Sequence, residues 1–267
     1  MSPPLVAFVT GASRNLGRAV ALRLATDGWA VAVNARTDVA GANDVVDAIR
    51  AGNGRSTAVL GDIAEETAVG RMAAEVRRTL GPVTAFVHCA AERRPHRSVR
   101  DLPAEDWRRV LAVALDAAFL GARAFVPDMT AAGYGRIVLV GGGSAHLGLP
   151  LGSTHGATSK AGMAGFVAAI AQEFGPLGVS ANVVVRGSMA PVRGPAAHAR
   201  DGWNAAGSSA LGRNVAPSEV ATFVSVLVGE AGAVVNGQTI RLDGGLSVRR
   251  TEESRRRDLR AVFGSPR

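Results

Sequence analysis

The sequence predicts an α/β fold: a doubly wound, mostly parallel sheet with helices on both of its faces. Short apolar runs alternate with helix-like stretches along the 267 residues. Most positions of these runs are apolar without alternation, which is typical of strands that are buried on both faces. Right-handed crossovers then carry the intervening helices to the two faces of the sheet.

Seven of the runs are predicted as strands and six of the stretches as helices. The first run is rich in β-forming residues and is followed by Thr10-Gly11, after which a helical period begins. The strands are expected at Leu5–Val9, Ala30–Val33, Ser56–Leu60, Val83–Val87, Arg136–Val140, Ser180–Val185 and Gln238–Leu242. The helices are expected at Leu16–Thr26, around Val45–Ala51, and at Glu65–Leu80, Pro103–Phe125, Thr154–Phe174 and Pro217–Val228. No repeat or linker interrupts this series, so we expect one domain over 1–247 and a tail over 248–267.

The composition excludes several classes of protein. Hydrophobic residues make up 47%, too many for general disorder, and the 33 glycines have no collagen-like period. A single cysteine, Cys89, excludes an intramolecular disulfide framework and a cysteine-based zinc site. Because we find neither a run of 18 apolar residues nor a signal peptide, we expect a cytoplasmic protein without a membrane span.

The net charge of +8 reflects a strong preference for arginine, since Lys160 is the only lysine among the 30 basic residues. Seven arginines and three carboxylates lie in the segment 247–267. This tail is interpreted as a solvated terminus or, alternatively, as a nucleic-acid-binding segment. It has one aromatic residue, Phe263, and no recognisable binding motif, so a nucleic-acid partner is the less favoured interpretation.

A glycine-rich turn after the first strand predicts a dinucleotide site. Such a turn lets the backbone approach a pyrophosphate, and the following helix presents free N–H groups and the positive end of its dipole. The residues expected to contact the cofactor here are Gly11, Ser13, Arg14, Asn15, Leu16 and Gly17.

The second and third strands indicate which cofactor is bound. NAD-binding folds hold the ribose 2′-hydroxyl with an acidic residue after the second strand, but this strand is followed by no carboxylate before Asp38. Arg14 and Arg36 suit a 2′-phosphate, which predicts NADP(H), although both are also explained as solvated surface arginines. Asp62, with Ile63 after the third strand, is expected either to bind the adenine amino group or to be a turn residue.

These motifs resemble the short-chain dehydrogenase/reductase family, and most closely its 3-oxoacyl-carrier-protein reductase-like members, over residues 5–247. Thr10–Arg18 is similar to the family's TGxxxGxG turn, with Asn15 in place of the middle glycine, and asparagine tolerates a left-handed backbone. The segments 235–245 and 211–221 resemble the family's last strand and the entry to its last helix. The resemblance implies a seven-stranded Rossmann fold and further cofactor contacts at Cys89, Ala90, Lys160, Arg186 and Gly187.

The family's catalytic positions are largely changed. Its active-site Asn falls at Ala114, its Ser at Gly142 and its Tyr at His155, while its Lys remains as Lys160. The resemblance implies carbonyl reduction in which the Ser positions the carbonyl, the phenol donates a proton, and the Lys lowers the phenol pKa and holds the ribose. Gly142 and Ala114 carry no side-chain donor for this chemistry, and Tyr134, the one tyrosine, has no lysine four residues on. Two strand ends also differ: His88-Cys89-Ala90-Ala91 replaces Asn-Asn-Ala-Gly, and Arg186-Gly187 replaces Pro-Gly.

His155 is the favoured acid/base residue. Lys160, an oxidised nicotinamide and the helix dipole are expected to lower its pKa, which suits a neutral base better than an acid. The alternative is a histidine that only fills the space of the Tyr. Ser144 is a further catalytic candidate, and the candidates for substrate binding are Ser153, His146 and Arg186, the last suited to an anionic group or a cofactor phosphate. The spacing of the histidines predicts no metal site.

Two functions remain open on these residues. The first is an NADP(H)-binding enzyme that acts on a small carbonyl-bearing metabolite, such as a polyketide-type intermediate of specialised metabolism. It would work through an altered proton path or by non-redox isomerisation, elimination or cyclisation. The second is a catalytically inactive partner subunit that binds nucleotide and another protein. The apolar faces of Pro103–Phe125 and Thr154–Phe174 exceed what the sheet needs for cover, so a homo-oligomer is expected, and the resemblance implies a tetramer, with a dimer as the alternative.

Overall fold

A computed structural model describes residues 5–142, 152–187, 189 and 209–248. Seven strands lie in these ranges, at nearly the predicted places. They are β1 (Val6–Thr10), β2 (Ala30–Ala35), β3 (Ser56–Leu60), β4 (Ala85–His88), β5 (Gly135–Gly142), β6 (Val179–Arg186) and β7 (Thr239–Leu242).

The seven strands form one parallel sheet in the order β3-β2-β1-β4-β5-β6-β7. The chain starts in the middle of the sheet, builds outward to β3, and then returns to pair β4 with β1. The order reverses between β1 and β4, and in open α/β sheets the crevice beyond the carboxyl ends at such a point binds the ligand. The predicted doubly wound Rossmann fold is therefore confirmed.

Helices connect the strands and cover both faces. They are α1 (Asn15–Thr26), α2 (Val39–Ala51), α3 (Glu66–Thr79), α4 (Ala104–Leu111), α5 (Ala117–Ala132), α6 (Thr154–Phe174) and α7 (Pro217–Val228). A π-helical turn, Ala112–Asp116, joins α4 to α5, so the two continue as one long helix. This helix is the one described stretch long and apolar enough to span a membrane, and half of its apolar window is buried within the fold.

The alternate side chains of each strand enter two separate cores. On one face, under α3, α5 and α6, the ring of Phe8 lies 4.9 Å from that of Phe125, which in turn lies 5.6 Å from that of Phe86. On the other face, under α1, α2 and α7, Val9 and Val31 are completely buried. Burial on both sides explains why the strands read as continuous apolar runs in the sequence.

Most predicted boundaries hold to within two residues, and α6 and α7 match their predicted bounds. The predicted helix ending at Phe125 is too short, because α5 continues through Pro127 and ends where Gly133 adopts a φ of +62°. Ser144, His146 and the tail 249–267 lie outside the described residues. Their predicted roles, and the predicted domain boundary at residue 247, stay predictions.

Candidate active site

The glycine-rich turn between β1 and α1 has the close backbone packing that a dinucleotide cradle requires. A Cβ atom on Gly17 would lie 2.2 Å from the Gly11 carbonyl oxygen, and one on Gly11 would lie 2.9 Å from the Ala90 Cα. Gly11 and Asn15 have φ values of +60° and +51°. Asn15 thus takes the left-handed conformation expected of it, and the turn survives the loss of the family's middle glycine.

The other residues predicted for this turn divide into exposed and buried groups. Arg14 is exposed and precedes the first residue of α1, and Ser13 is partly buried beside it. Leu16 is buried in the core under α1, and Ile63 in the core under α3. The side chains of Leu16 and Ile63 therefore pack within the protein, which leaves their backbone atoms for contact with a ligand.

The end of β4 is fixed by a buried hydrogen-bond network that the sequence did not predict. The Thr10 hydroxyl oxygen accepts hydrogen bonds from the backbone N–H groups of Cys89 (3.0 Å) and Ala90 (2.9 Å) and lies 2.9 Å from Nδ1 of His88. Nε2 of His88 donates to the Val113 carbonyl in the π-helical turn, also at 2.9 Å. His88 therefore ties β1 and β4 to the helix that carries the active-site Asn in the family.

The charge states of this network follow from its burial. His88 is completely buried, which, together with the positive charge of Lys160, lowers its pKa to about 3, so the ring is neutral. Burial likewise raises the pKa of the Cys89 thiol to about 12. The thiol is therefore protonated and inert. The cofactor contacts predicted for Cys89 and Ala90 would be made by the end of the strand and not by a reactive sulfur.

Asp62 is a turn residue, which is one of the two roles predicted for it as alternatives. One carboxylate oxygen accepts from the Ala64 backbone N–H at 3.0 Å, as a turn residue does. The other lies 2.5 Å from the Arg109 guanidinium and 4.0 Å from that of Arg36. Asp62 is thus at the carboxyl end of β3 beside the predicted 2′-phosphate site, where an adenine amino group would meet a carboxylate.

Arg36 is held by a second carboxylate as well. The Glu92 carboxylate lies 3.4 Å from both the Arg36 and the Arg109 guanidinium groups. Arg36 keeps 53% of its side chain exposed, so it remains accessible to an anion. Arg36, for which a solvated surface arginine was the alternative interpretation, is part of a network of charges at the nucleotide end of the crevice.

The network continues from Glu92 towards His155. Arg94 lies 3.6 Å from the Glu92 carboxylate and 3.3 Å from that of Asp106 on α4. The segment after β4 is also fixed near α6, because the Arg97 N–H donates to the Gly152 carbonyl at 2.9 Å. A series of alternating charges thus connects the predicted 2′-phosphate site with the predicted catalytic histidine.

His155 lies at the first turn of α6 and is only 4% exposed. Its Nδ1 atom has no hydrogen-bond partner among the residues that the structure describes. Burial lowers the pKa of His155, and the nearby His96 lowers it further, while Asp106 and the Arg94 backbone carbonyl raise it. The direction matches the expectation, but the causes are burial and His96 rather than the predicted Lys160.

Lys160 and Arg186 face the same end of the sheet. Arg186 ends β6 and pairs in register with Gly142 at the end of β5. Burial lowers the pKa of Arg186 to about 10 and that of Lys160 to about 8, and the charge of Arg186 lowers the pKa of Lys160 further. Gly187 follows under the backbone of Asp243, which a Cβ atom would approach to 2.8 Å.

Three further residues singled out in the sequence are Ala114, Ser153 and Tyr134. Ala114 is buried in the π-helical turn and carries no donor. Ser153 is the residue before α6, and its carbonyl accepts from the Ala157 N–H at 2.8 Å. Tyr134 lies at the opposite, amino end of β5, where its hydroxyl donates to the Val228 carbonyl at 2.5 Å. It therefore takes no part in chemistry at the carboxyl ends.

The sequence did not predict the contribution of the segment between β4 and α4 to this site. Glu92, Arg94, Asp106 and Arg109 form ordinary-looking charge runs, and only the fold shows that they lie between Arg36 and His155. The described residues contain no cluster of His, Cys, Asp or Glu that would bind a metal ion.

Comparisons with known proteins agree with this geometry. The family model described as Enoyl-(Acyl carrier protein) reductase matches residues 11–247. A short-chain dehydrogenase/reductase of Armillaria gallica is 34% identical over 90% of this chain and 95% of its own length. The short-chain reductase protein NovJ of Streptomyces niveus is also 34% identical, over 92% of this chain and 95% of its own. Among solved structures, a blue fluorescent protein from a metagenomic library in complex with NADPH matches with a TM-score of 0.82 and 29% identity, over 90% of this chain and 97% of its own.

Proposed function

Because the chain belongs to the short-chain dehydrogenase/reductase family of oxidoreductases, we propose that it is a cytoplasmic NADP(H)-binding enzyme that acts on a small metabolite with a carbonyl or hydroxyl group. His155 acts in place of the family's phenol. The observation that carries the proposal is the buried His155 imidazole, whose Nδ1 has no described hydrogen-bond partner. An unpaired buried polar atom is costly in a purely structural residue, and it is the arrangement that a base requires.

The cofactor pocket supports NADP(H). Gly11 and Gly17 leave room that any side chain would fill, so the backbone can approach a pyrophosphate at the start of α1. Arg14 and Arg36 are exposed on the side where the 2′-phosphate would bind, and Asp62 suits the adenine amino group. Bound NADP(H) supplies or accepts the hydride.

The protein's own residues favour proton abstraction. A neutral imidazole near pH 7 accepts a proton from a substrate hydroxyl, or from a carbon next to a carbonyl, through Nδ1 of His155. Lys160 is kept as a compact cation that suits ribose hydroxyls. No donor is available from Gly142 or Ala114 to hold a substrate carbonyl, so plain ketone reduction is expected to be slow. Ser144 or Ser153 would have to orient the substrate oxygen.

A place in specialised metabolism, with a polyketide-type intermediate as the substrate, fits this loss of the standard reductase residues. An inactive partner subunit is the second candidate. It is favoured only by the absence of the family's Asn, Ser and Tyr, whereas the intact glycine turn and Lys160 favour a pocket that still binds nucleotide.

Fluorescence titration with NADPH and NADH tests the cofactor, and incubation with small β-hydroxy and β-keto compounds tests the reaction. We expect tighter binding of NADPH, with cofactor consumed only in the presence of a substrate. Product formed without cofactor turnover would show a non-redox isomerase, lyase or cyclase. No binding of either cofactor would overturn the proposal.

A further inference from the structure

We propose that the substrate carries a carboxylate, which is bound by Arg186 together with Lys160 at the carboxyl ends of β5 and β6. This inference rests on the proposed function and names the substrate class for that site. It concerns a position where the family has proline, so it does not follow from the family's standard residues.

Arg186 lacks a described counter-ion although it is not an exposed residue. Eight of the nineteen other described arginines have a carboxylate within ion-pair distance, and ten of the remaining eleven are exposed. Arg186 has none in the described part of the chain. Among the described residues its guanidinium makes one hydrogen bond, a 3.1 Å contact from Nη1 to the Gly187 carbonyl. At least four of its five N–H donors therefore have no described partner and can serve a ligand.

Positive charge accumulates around Arg186. Lys160 also has no carboxylate partner among the described residues, and Arg93 is a third cation close to Arg186. Burial lowers the pKa of Lys160 and of Arg186 most, and repulsion between the like charges lowers both pKa values further. A bound anion would offset this repulsion and favour the charged form of both groups.

The cofactor does not provide that anion at this position. In the proposed function its phosphates bind at the start of α1 and beside Arg36, while Lys160 meets ribose hydroxyls, which are neutral. An oxidised nicotinamide would add positive charge. Neither the described residues nor the cofactor in this binding mode supplies a negative charge here, which leaves the substrate to supply it.

Gly142 leaves space beside Arg186 within the described part of the chain. A Cβ atom built on Gly142 meets no described atom within 4 Å, and Gly142 is the register partner of Arg186. A planar guanidinium binds a carboxylate through two parallel hydrogen bonds, which fixes both its position and its orientation. By binding a charged group of the substrate, Arg186 thus supplies the orientation that the family obtains from its serine.

The experiment measures binding of three carboxylates, acetoacetate, malonate and benzoate, and of their methyl esters. Calorimetry and thermal shift are recorded on the full chain with and without NADP⁺. We expect at least one carboxylate to bind ten-fold or more tightly than its ester, and Arg186→Gln to remove that difference. Arg100→Gln is the matched control, because Arg100 is 88% exposed and pairs with its neighbour Asp101.

A second variant separates binding from structure. If Arg186 serves to bind an anion, its charge is uncompensated in the ligand-free protein. Arg186→Met then removes that charge and raises the melting temperature of the ligand-free protein by about 2 °C or more. The proposal is wrong if no carboxylate binds better than its ester, if Arg186→Gln keeps the preference, or if Arg186→Met melts lower than the wild type. In each of those cases tighter binding of NADPH than of NADH would still support the proposed function.

Discussion

The resemblance to the family places His155 where the family carries its phenol, and burial lowers the pKa of the imidazole. We predict that His155→Ala lowers turnover by about two to four powers of ten, the usual contribution of a positioned general base. Because burial lowers the pKa of His155, the activity of the wild type should rise with pH through a pKa below the ordinary value of a histidine. The measurement is the pH profile of kcat for the identified substrate.

Thr158→Ala is the control for this prediction, since Thr158 is an exposed residue on the same helix. His155→Phe keeps the volume of the ring without its nitrogen atoms. Near-normal turnover in both His155→Ala and His155→Phe would show that the residue only packs, and Ser144 or Lys160 would then be the remaining candidates.

His88 gives a prediction about stability rather than activity. Its pKa is about 3 in the folded protein and near 6.5 when unfolded, so the unfolded state binds more protons between these values. Stability should therefore fall as the pH drops below 6.5, by about 2 kcal/mol between pH 6.5 and pH 5 from this group alone. Urea unfolding of the wild type and of His88→Asn at both pH values tests it.

Asparagine is the residue that the family has at position 88. In His88→Asn the side-chain amide keeps one donor for the Val113 carbonyl and one acceptor for the Thr10 hydroxyl. A pH dependence unchanged in His88→Asn would contradict the assignment. Thr158→Ala, at an exposed residue that does not titrate, should leave the slope as it is in the wild type.

Glu92 competes with a cofactor phosphate for Arg36. Its carboxylate is 3.4 Å from the Arg36 guanidinium, and removal of its charge should free Arg36 for a dianionic phosphate. We predict that Glu92→Gln binds NADPH up to about five-fold more tightly, as expected for a partly exposed pair, with NADH affected less. Fluorescence titration of both cofactors is the measurement, and Arg36→Ala should abolish the preference. Weaker binding of NADPH by Glu92→Gln would instead show that Glu92 orients Arg36.

The turn that opens α1 depends on its backbone more than on its side chains. In Gly17→Ala a Cβ atom would lie 2.2 Å from the Gly11 carbonyl oxygen, so the turn must move and cofactor binding should be lost. In Asn15→Gly the glycine adopts the φ of +51° without steric strain. We therefore expect unchanged or slightly higher stability of the fold, with cofactor binding retained. Thermal melting and NADPH titration distinguish the two variants. Equal behaviour of the two would contradict the geometry of the turn.

The long helices leave apolar surface uncovered in the single chain. Phe119 on α5 is 50% exposed, and of the 21 residues of α6 only His155, Ser159, Met163 and Val167 are buried. We predict a homo-oligomer that buries this surface, and Phe119→Glu should shift it towards the monomer. Light scattering at micromolar concentration is the measurement. Val39→Glu, at a 49% exposed residue on α2, is the control, and a monomeric wild type would contradict the prediction.

The sequence by itself determined the fold and the nucleotide end of this protein. Its strands are apolar on both faces and its helices have their own period, and both patterns are local properties of the chain. The glycine turn is local as well, because Gly11, Asn15 and Gly17 lie within seven consecutive residues. The departures at Gly142, Ala114 and His155 were also visible from the sequence, through the resemblance to the family.

Only the tertiary structure decided how the charges are paired. Arg36, Asp62, Glu92 and Arg109 are far apart along the chain, and they meet because parallel strands bring their carboxyl ends to one edge of the sheet. The same is true of Arg186, whose lack of a partner is a property of its neighbours in space and not of its own residue type. Electrostatic interactions act over distance rather than along the sequence, so their outcome at this site could be read only after the chain was folded.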